Sequence, residues 1–212
     1  MKKTSLFILF FLILLPETLL AKDTNTANTP KTVLVYGDSL SAAYNIKIEE
    51  GWVSLLQDFV DNQNLPVKMV NASISGETSS GGLERFAGQL KQTPADIVIL
   101  ELGGNDGLRG FDLQTTRDNL TQMINMSHAI GAKVVLAGIQ LPPNMGRTYT
   151  RKFKQIYDDL GQLDDVILIP FILEGVATID ELMQRDGIHP NAKGQPVIMN
   201  NVWQYLSPLI MK

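Results

Sequence analysis

The sequence predicts a doubly wound, three-layer α/β/α domain on a five-stranded parallel sheet, in the flavodoxin-like strand order 2-1-3-4-5. Two observations carry that prediction. Five short apolar runs rich in β-branched residues lie at residues 32–36, 67–71, 96–102, 133–137 and 166–169, and near-continuous runs of this kind suit strands buried on both faces. Stretches with helical spacing lie between them, and such alternation is the signature of helices packed on both sides of a parallel sheet.

Each helical stretch shows a stripe. Trp52, Leu55, Leu56, Phe59 and Val60 fall at i, i+3, i+4, i+7 and i+8. Leu120, Met123 and Ile124 follow the same rule, as do Phe153, Ile156, Tyr157 and Leu160. A last helix is expected over about residues 195–206, with Ile198, Val202, Tyr205 and Leu206 facing inward. Pro196 belongs in its first turn, because a proline deeper inside would break it. No repeat, low-complexity tract or linker divides the chain, so residues 31–212 read as a single domain.

The first residues read differently. A short basic start, Met1-Lys2-Lys3, precedes ten unbroken apolar residues at 6–15, and Pro16 and Glu17 end the run. Ten residues rise only about 15 Å as a helix, too little for a bilayer core of roughly 30 Å. Residues 1–21 are therefore expected to be a secretory signal peptide rather than a membrane anchor, with residues 22–30 a flexible lead-in. Removing residues 1–21 would leave 191 residues with a net charge of -5. No stable membrane span is expected after cleavage, and the protein should be periplasmic if its source is a Gram-negative bacterium and secreted otherwise. The acidic balance argues against a nucleic-acid partner. The absence of cysteine excludes a thiol nucleophile, a disulfide scaffold and a Cys-ligated metal. Only His128 and His189 can supply an imidazole.

In doubly wound sheets ligands bind beyond the carboxyl ends of the strands, so the loops there are where chemistry is expected. Strand one runs into Gly37-Asp38-Ser39-Leu40-Ser41, where a serine on a tight turn can expose its hydroxyl. Such a triplet is also a common turn or helix cap. The G-x-S-x-G elbow fails at Ser41, which argues against the α/β-hydrolase fold. Strand two ends before Gly76, whose backbone N–H can lie open to a ligand. Strand three ends in Gly103-Gly104-Asn105-Asp106-Gly107, where the amide of Asn105 can turn back over the strand edge. Gly76 and Asn105 also serve as plain loop and turn residues. No phosphate-cradling glycine motif is present. In Asp186-Gly187-Ile188-His189-Pro190-Asn191, a carboxylate three residues ahead of an imidazole can reach its Nδ1–H. Asn191 could instead be a helix cap. His128, near a helix end, is expected to meet the C-terminal carbonyls there, which leaves His189 as the base of any imidazole chemistry.

These blocks, in this order, resemble the SGNH (GDSL) hydrolases over nearly the whole mature length. The match looks closer still to a bacterial periplasmic multifunctional group of acyl-CoA thioesterases, lysophospholipases, proteases and arylesterases. It rests on residues 70–78, 101–111 and 186–191 beside the Gly-Asp-Ser-Leu turn. Glu77, where that group carries Asp, and the loop at residues 140–146 depart from its pattern. The resemblance implies the SGNH hydrolase fold, a Ser39–His189–Asp186 triad, and an oxyanion hole made by the N–H groups of Ser39 and Gly76 with the Asn105 amide. It implies an enzyme that hydrolyses acyl esters and thioesters through an acyl-enzyme, with no metal or organic cofactor. Leu108, Phe111, Leu141, Met145, Tyr149 and Phe171, with Ile172 and Leu173, are candidates to line an acyl channel, or else ordinary loop packing. The partner is a small-molecule acyl ester or thioester. A monomer is expected, although nothing in the sequence fixes the oligomeric state. Two alternatives remain: a carbohydrate O-acetylesterase on the same fold, and a non-catalytic lipid- or glycan-binding protein.

Overall fold

The computed structural model describes residues 29–211, so the expected signal peptide at 1–21 and most of the expected lead-in lie outside the described residues. Five strands, β1 (Lys31–Gly37), β2 (Val67–Asn71), β3 (Ile97–Glu101), β4 (Lys133–Ala137) and β5 (Val166–Ile169), form one parallel sheet in the order β2-β1-β3-β4-β5. The helices are α1 (Trp52–Asn62), α2 (Ser79–Gln92), α3 (Gly104–Leu108), α4 (Leu113–Ala129), α5 (Arg147–Leu160) and α6 (Gln195–Ile210).

Strand alternation sorts the core into two layers. Leu34, Tyr36, Val98, Leu100, Val134 and Leu136 point to the face covered by α2, α4 and α5. Val33, Val35, Ile97, Ile99, Val135 and Ala137 point to the face covered by α1 and α6. The stripes of α4 and α5 are buried as their spacing predicts. On α1 the buried side is Trp52, Val53, Leu56 and Val60. Leu55 and Phe59 sit at its margin, where Phe59 meets the edge of Trp203 at 5.0 Å.

Two helices depart from expectation. α2 opens on Ser79-Ser80-Gly81-Gly82, which carries no apolar stripe, yet Phe86 and Leu90 anchor it. Its start is held by Thr78, whose hydroxyl accepts the Gly81 N–H, and by Asp106, whose carboxylate accepts the Ser79 N–H at 2.8 Å. α6 continues past its expected end through Pro208 to Ile210. A proline in the last turn deletes one backbone hydrogen bond and leaves the rest of the helix intact. Ile198, Val202 and Leu206 are buried as expected, while Tyr205 is only partly covered.

The strand order puts the loops after β1, β2 and β3 side by side. At the end of β1, Gly37 pairs in register with Glu101. A Cβ on Gly37 would stand 2.5 Å from Glu101 Oε2, so only glycine lets that carboxylate cross beneath the following turn.

Candidate active site

Ser39 sits on the turn after β1, and its Oγ lies 2.8 Å from His189 Nε2. The His189 loop runs between the Asp180–Leu182 turn and α6, pinned by a backbone bridge between Met183 and Pro190. Asp186 Oδ1 accepts the N–H groups of Ile188 and His189 at 2.9 and 3.0 Å. Its Oδ2 lies 2.8 Å from His189 Nδ1. Burial works to raise the Asp186 pKa, but the His189 N–H, the imidazole and the Ile188 N–H outweigh it and hold the carboxyl at about 2. An ionised carboxylate only accepts, so Nδ1 carries the ring proton and the Nε2 lone pair faces the Ser39 hydroxyl. Asn191, rather than capping α6, ties the loop by donating to the carbonyls of Glu181 and Met183.

The remaining expected residues gather around this chain. Gly76 holds φ +81°, a left-handed conformation that favours glycine. Among the described residues, neither its N–H nor that of Ser39 has a hydrogen-bond partner. Asn105 lies not in an open loop but in the first turn of α3, after Gly103 at φ +109°. Its Nδ2 donates to Asp38 Oδ2 and to the Glu77 carbonyl, both at 3.0 Å. The Glu77 side chain points away, into an ion pair with Arg85 at 2.7 Å on α2.

Two buried carboxylates lie beneath the serine turn, and neither was singled out from the sequence. Asp38 accepts from the Leu40 N–H and from Asn105. Glu101 Oε2 accepts the Asp38 N–H at 3.2 Å and the Ser41 hydroxyl at 2.7 Å, while Oε1 is buried with no partner. Burial, only partly offset by these hydrogen bonds, raises Asp38 to about 6. Burial and the adjacent Asp38 push Glu101 well above the usual carboxylate range. The available signal was Glu101 itself, a charge closing an otherwise apolar strand.

A cavity of about 470 Å³ opens beside Ser39 and His189, a volume suited to a small-molecule chain. Of the expected lining residues, Leu108, Leu141, Phe171 and Leu173 face it. Ile139, Pro142, Met183 and Ile188 join them, each a neighbour of a strand end or of His189 that loop position alone did not mark. Phe111 does not line the cavity and is exposed instead. Met145 and Tyr149 pack against the α4–α5 layer, where the Tyr149 hydroxyl donates to the Gly107 carbonyl. Ile172 belongs to the opposite core layer. The His128 Nε2 is buried with no hydrogen-bond partner, so it does not make the carbonyl contact expected of it. Among the described residues no cluster of His, Asp and Glu is arranged to hold a metal ion.

The chain matches the GDSL-like lipase/acylhydrolase family over residues 35–197. It is 46% identical over 180 residues to esterase TesA of Pseudomonas aeruginosa, covering 85% of this chain and 90% of that one. It is 43% identical over 196 residues to thioesterase 1/protease 1/lysophospholipase L1 of Escherichia coli strain K12, covering 92% and 93%. The crystal structure of the psychrotrophic esterase EstA from Pseudoalteromonas sp., inhibited by monoethylphosphonate, superposes with a TM-score of 0.80 at 39% identity. That match covers 86% of this chain and all of that one. With the family matched over most of the chain and relatives 43% to 46% identical over nearly all of their length, this protein belongs to the GDSL-like lipase/acylhydrolase family.

Proposed function

We propose that this chain is an exported serine hydrolase that cleaves acyl esters and thioesters, with lysophospholipids and related lipid esters as its leading substrates. The observation that carries the proposal is the Ser39–His189–Asp186 hydrogen-bond chain at the mouth of an apolar cavity. Family membership supports esterase and thioesterase chemistry in general.

In the first step His189 Nε2 takes the Ser39 proton as Oγ attacks the acyl carbonyl. Asp186 keeps the ring in the right tautomer and stabilises the imidazolium. The N–H groups of Ser39 and Gly76, with the Asn105 amide, receive the oxyanion. His189 then protonates the leaving group, and the acyl-enzyme forms. Water, deprotonated by the same imidazole, releases the acid. Export through residues 1–21 would put the enzyme where phospholipid breakdown products are met more readily than cytosolic thioesters.

Two measurements test this reading. Ser39→Ala should abolish hydrolysis of short p-nitrophenyl esters and labelling by a fluorophosphonate, and retained turnover would refute the serine mechanism. A rate series from acetyl to palmitoyl, on oxygen esters and CoA thioesters, should peak at medium to long chains. A monotonic fall from acetyl would point to a deacetylase of sugars instead.

A further inference from the structure

Tyr44 lies five residues beyond Ser39, outside both core layers and 45% exposed, yet its ring sits on the catalytic imidazole. The Tyr44 and His189 ring centroids are 4.5 Å apart with planes 39° from parallel. We propose that Tyr44 is a positioning residue, holding the His189 ring toward Ser39 and stabilising its charged form through the aromatic face.

The backbone around Tyr44 is shaped for this contact. Ala43 and Asn45, on either side, adopt φ of 55° and 57°, a left-handed conformation that side-chain-bearing residues rarely take. Local strain of this kind persists only where the surroundings over-determine it, and one part of those surroundings is the His189 loop. Gln184 Nε2 donates to the Tyr44 carbonyl at 2.9 Å and to the Pro190 carbonyl at 3.0 Å. Gln184 Oε1 accepts from Asn45 Nδ2 at 3.0 Å. The Gln184 backbone N–H donates to the His189 carbonyl at 2.7 Å. One side chain thus stitches the serine turn to the histidine loop, with the stacked rings beside the seam.

The chemistry gives the contact a purpose beyond packing. When the Ser39 proton moves to Nε2, the ring gains a positive charge. Asp186 meets that charge at Nδ1. The negative face of an aromatic ring within about 6 Å attracts a cation, and Tyr44 supplies that face out of plane. The two rings meet centroid to centroid at 4.5 Å, and among the described residues the Tyr44 hydroxyl makes no hydrogen bond, so phenylalanine should serve as well.

The inference rests on His189 acting as the base. It is tested by steady-state kinetics of p-nitrophenyl butyrate hydrolysis in Tyr44→Ala, Tyr44→Leu and Tyr44→Phe, with His189→Ala alongside. Tyr44→Ala and Tyr44→Leu should lower kcat by about fivefold to thirtyfold, the rate equivalent of a lost cation–π contact, with KM within about twofold. Tyr44→Phe should keep kcat within about twofold. If Tyr44→Ala fails to fold, the contrast between leucine and phenylalanine carries the same test. A leucine variant with wild-type kcat, a phenylalanine variant as slow as leucine, or a loss confined to KM would overturn the inference. An active His189→Ala would instead overturn the base assignment, so the two failures are distinguishable.

Discussion

Glu101 lies directly under Asp38, with its Oε2 accepting the Asp38 backbone N–H while its Oε1 is buried without a partner. Two carboxylates so close and so dry cannot both ionise cheaply. Burial raises Asp38 from 3.8 to about 6, and burial together with Asp38 raises Glu101 well above its own ordinary value. A carboxyl whose folded pKa is raised contributes its full stability below the unfolded value and loses it as pH climbs through the folded one. For Asp38 that window runs from 3.8 to about 6, and its loss is on the order of 3 kcal/mol. Urea unfolding across this range should show stability falling as pH rises. Glu101→Gln keeps an acceptor for Ser41 and removes the titration of Glu101 itself. It should flatten the part of the fall above about 4.5, while the part due to the burial of Asp38 remains. Equal slopes in the two proteins would refute the raised titration of Glu101.

Asn105 spends its amide protons on Asp38 and on the Glu77 carbonyl. An oxyanion therefore competes with the Glu77 carbonyl for one of them, while Asp38 holds the amide in place. Asn105→Ala should lower kcat by about a hundred- to a thousandfold, with little change in KM for short esters. A loss in kcat of less than about tenfold would mean that the backbone donors suffice.

Asp186→Asn probes the tautomer. The retained oxygen can still accept the Ile188 and His189 N–H groups, so the turn survives. Its new N–H group would face Nδ1 and favour the ring form that carries its proton on Nε2, where it cannot receive one from Ser39. The expected loss in kcat is roughly a thousand- to ten-thousandfold, as for a comparable change in a serine protease triad. Near-normal turnover would show that Asp186 does not set the tautomer.

How far these features were legible in the sequence depended on whether a local pattern fixed them. β4 occupies the run that its β-branched composition marked, because a central strand buried on both faces has almost no polar positions to blur it. The edge strands β2 and β5 fill their runs as well, although Lys68 and Asn71 of β2 are exposed. Ser39, Asp186 and His189 were legible because each lies within a few residues of a strand end or a constrained turn. Asn105 was expected in a loop and lies in a short helix, since the turn at Gly103 lets a helix begin at the next residue. Glu101, Tyr44 and Gln184 were missed for a different reason. Their roles come from contacts across 60 or more residues of chain, as between Ser41 and Glu101 or Asn45 and Gln184, which no periodicity records.

Leu108 and Phe111 separate true lining from mere proximity. Both follow Asn105 within six residues, and both are partly exposed, at 37% and 45%. Only Leu108 faces the cavity beside Ser39. A bulky side chain there removes space that a long acyl chain needs and leaves an acetyl group untouched. Leu108→Trp should therefore lower kcat/KM for palmitoyl esters by about tenfold or more relative to acetyl esters, consistent with the few kcal/mol that hydrophobic pockets discriminate. Phe111→Trp should leave the chain-length profile where it was. If both variants shift the profile equally, the acyl chain runs over the surface past Phe111 rather than into the cavity. If neither does, it leaves along the opposite wall, by Phe171 and Leu173.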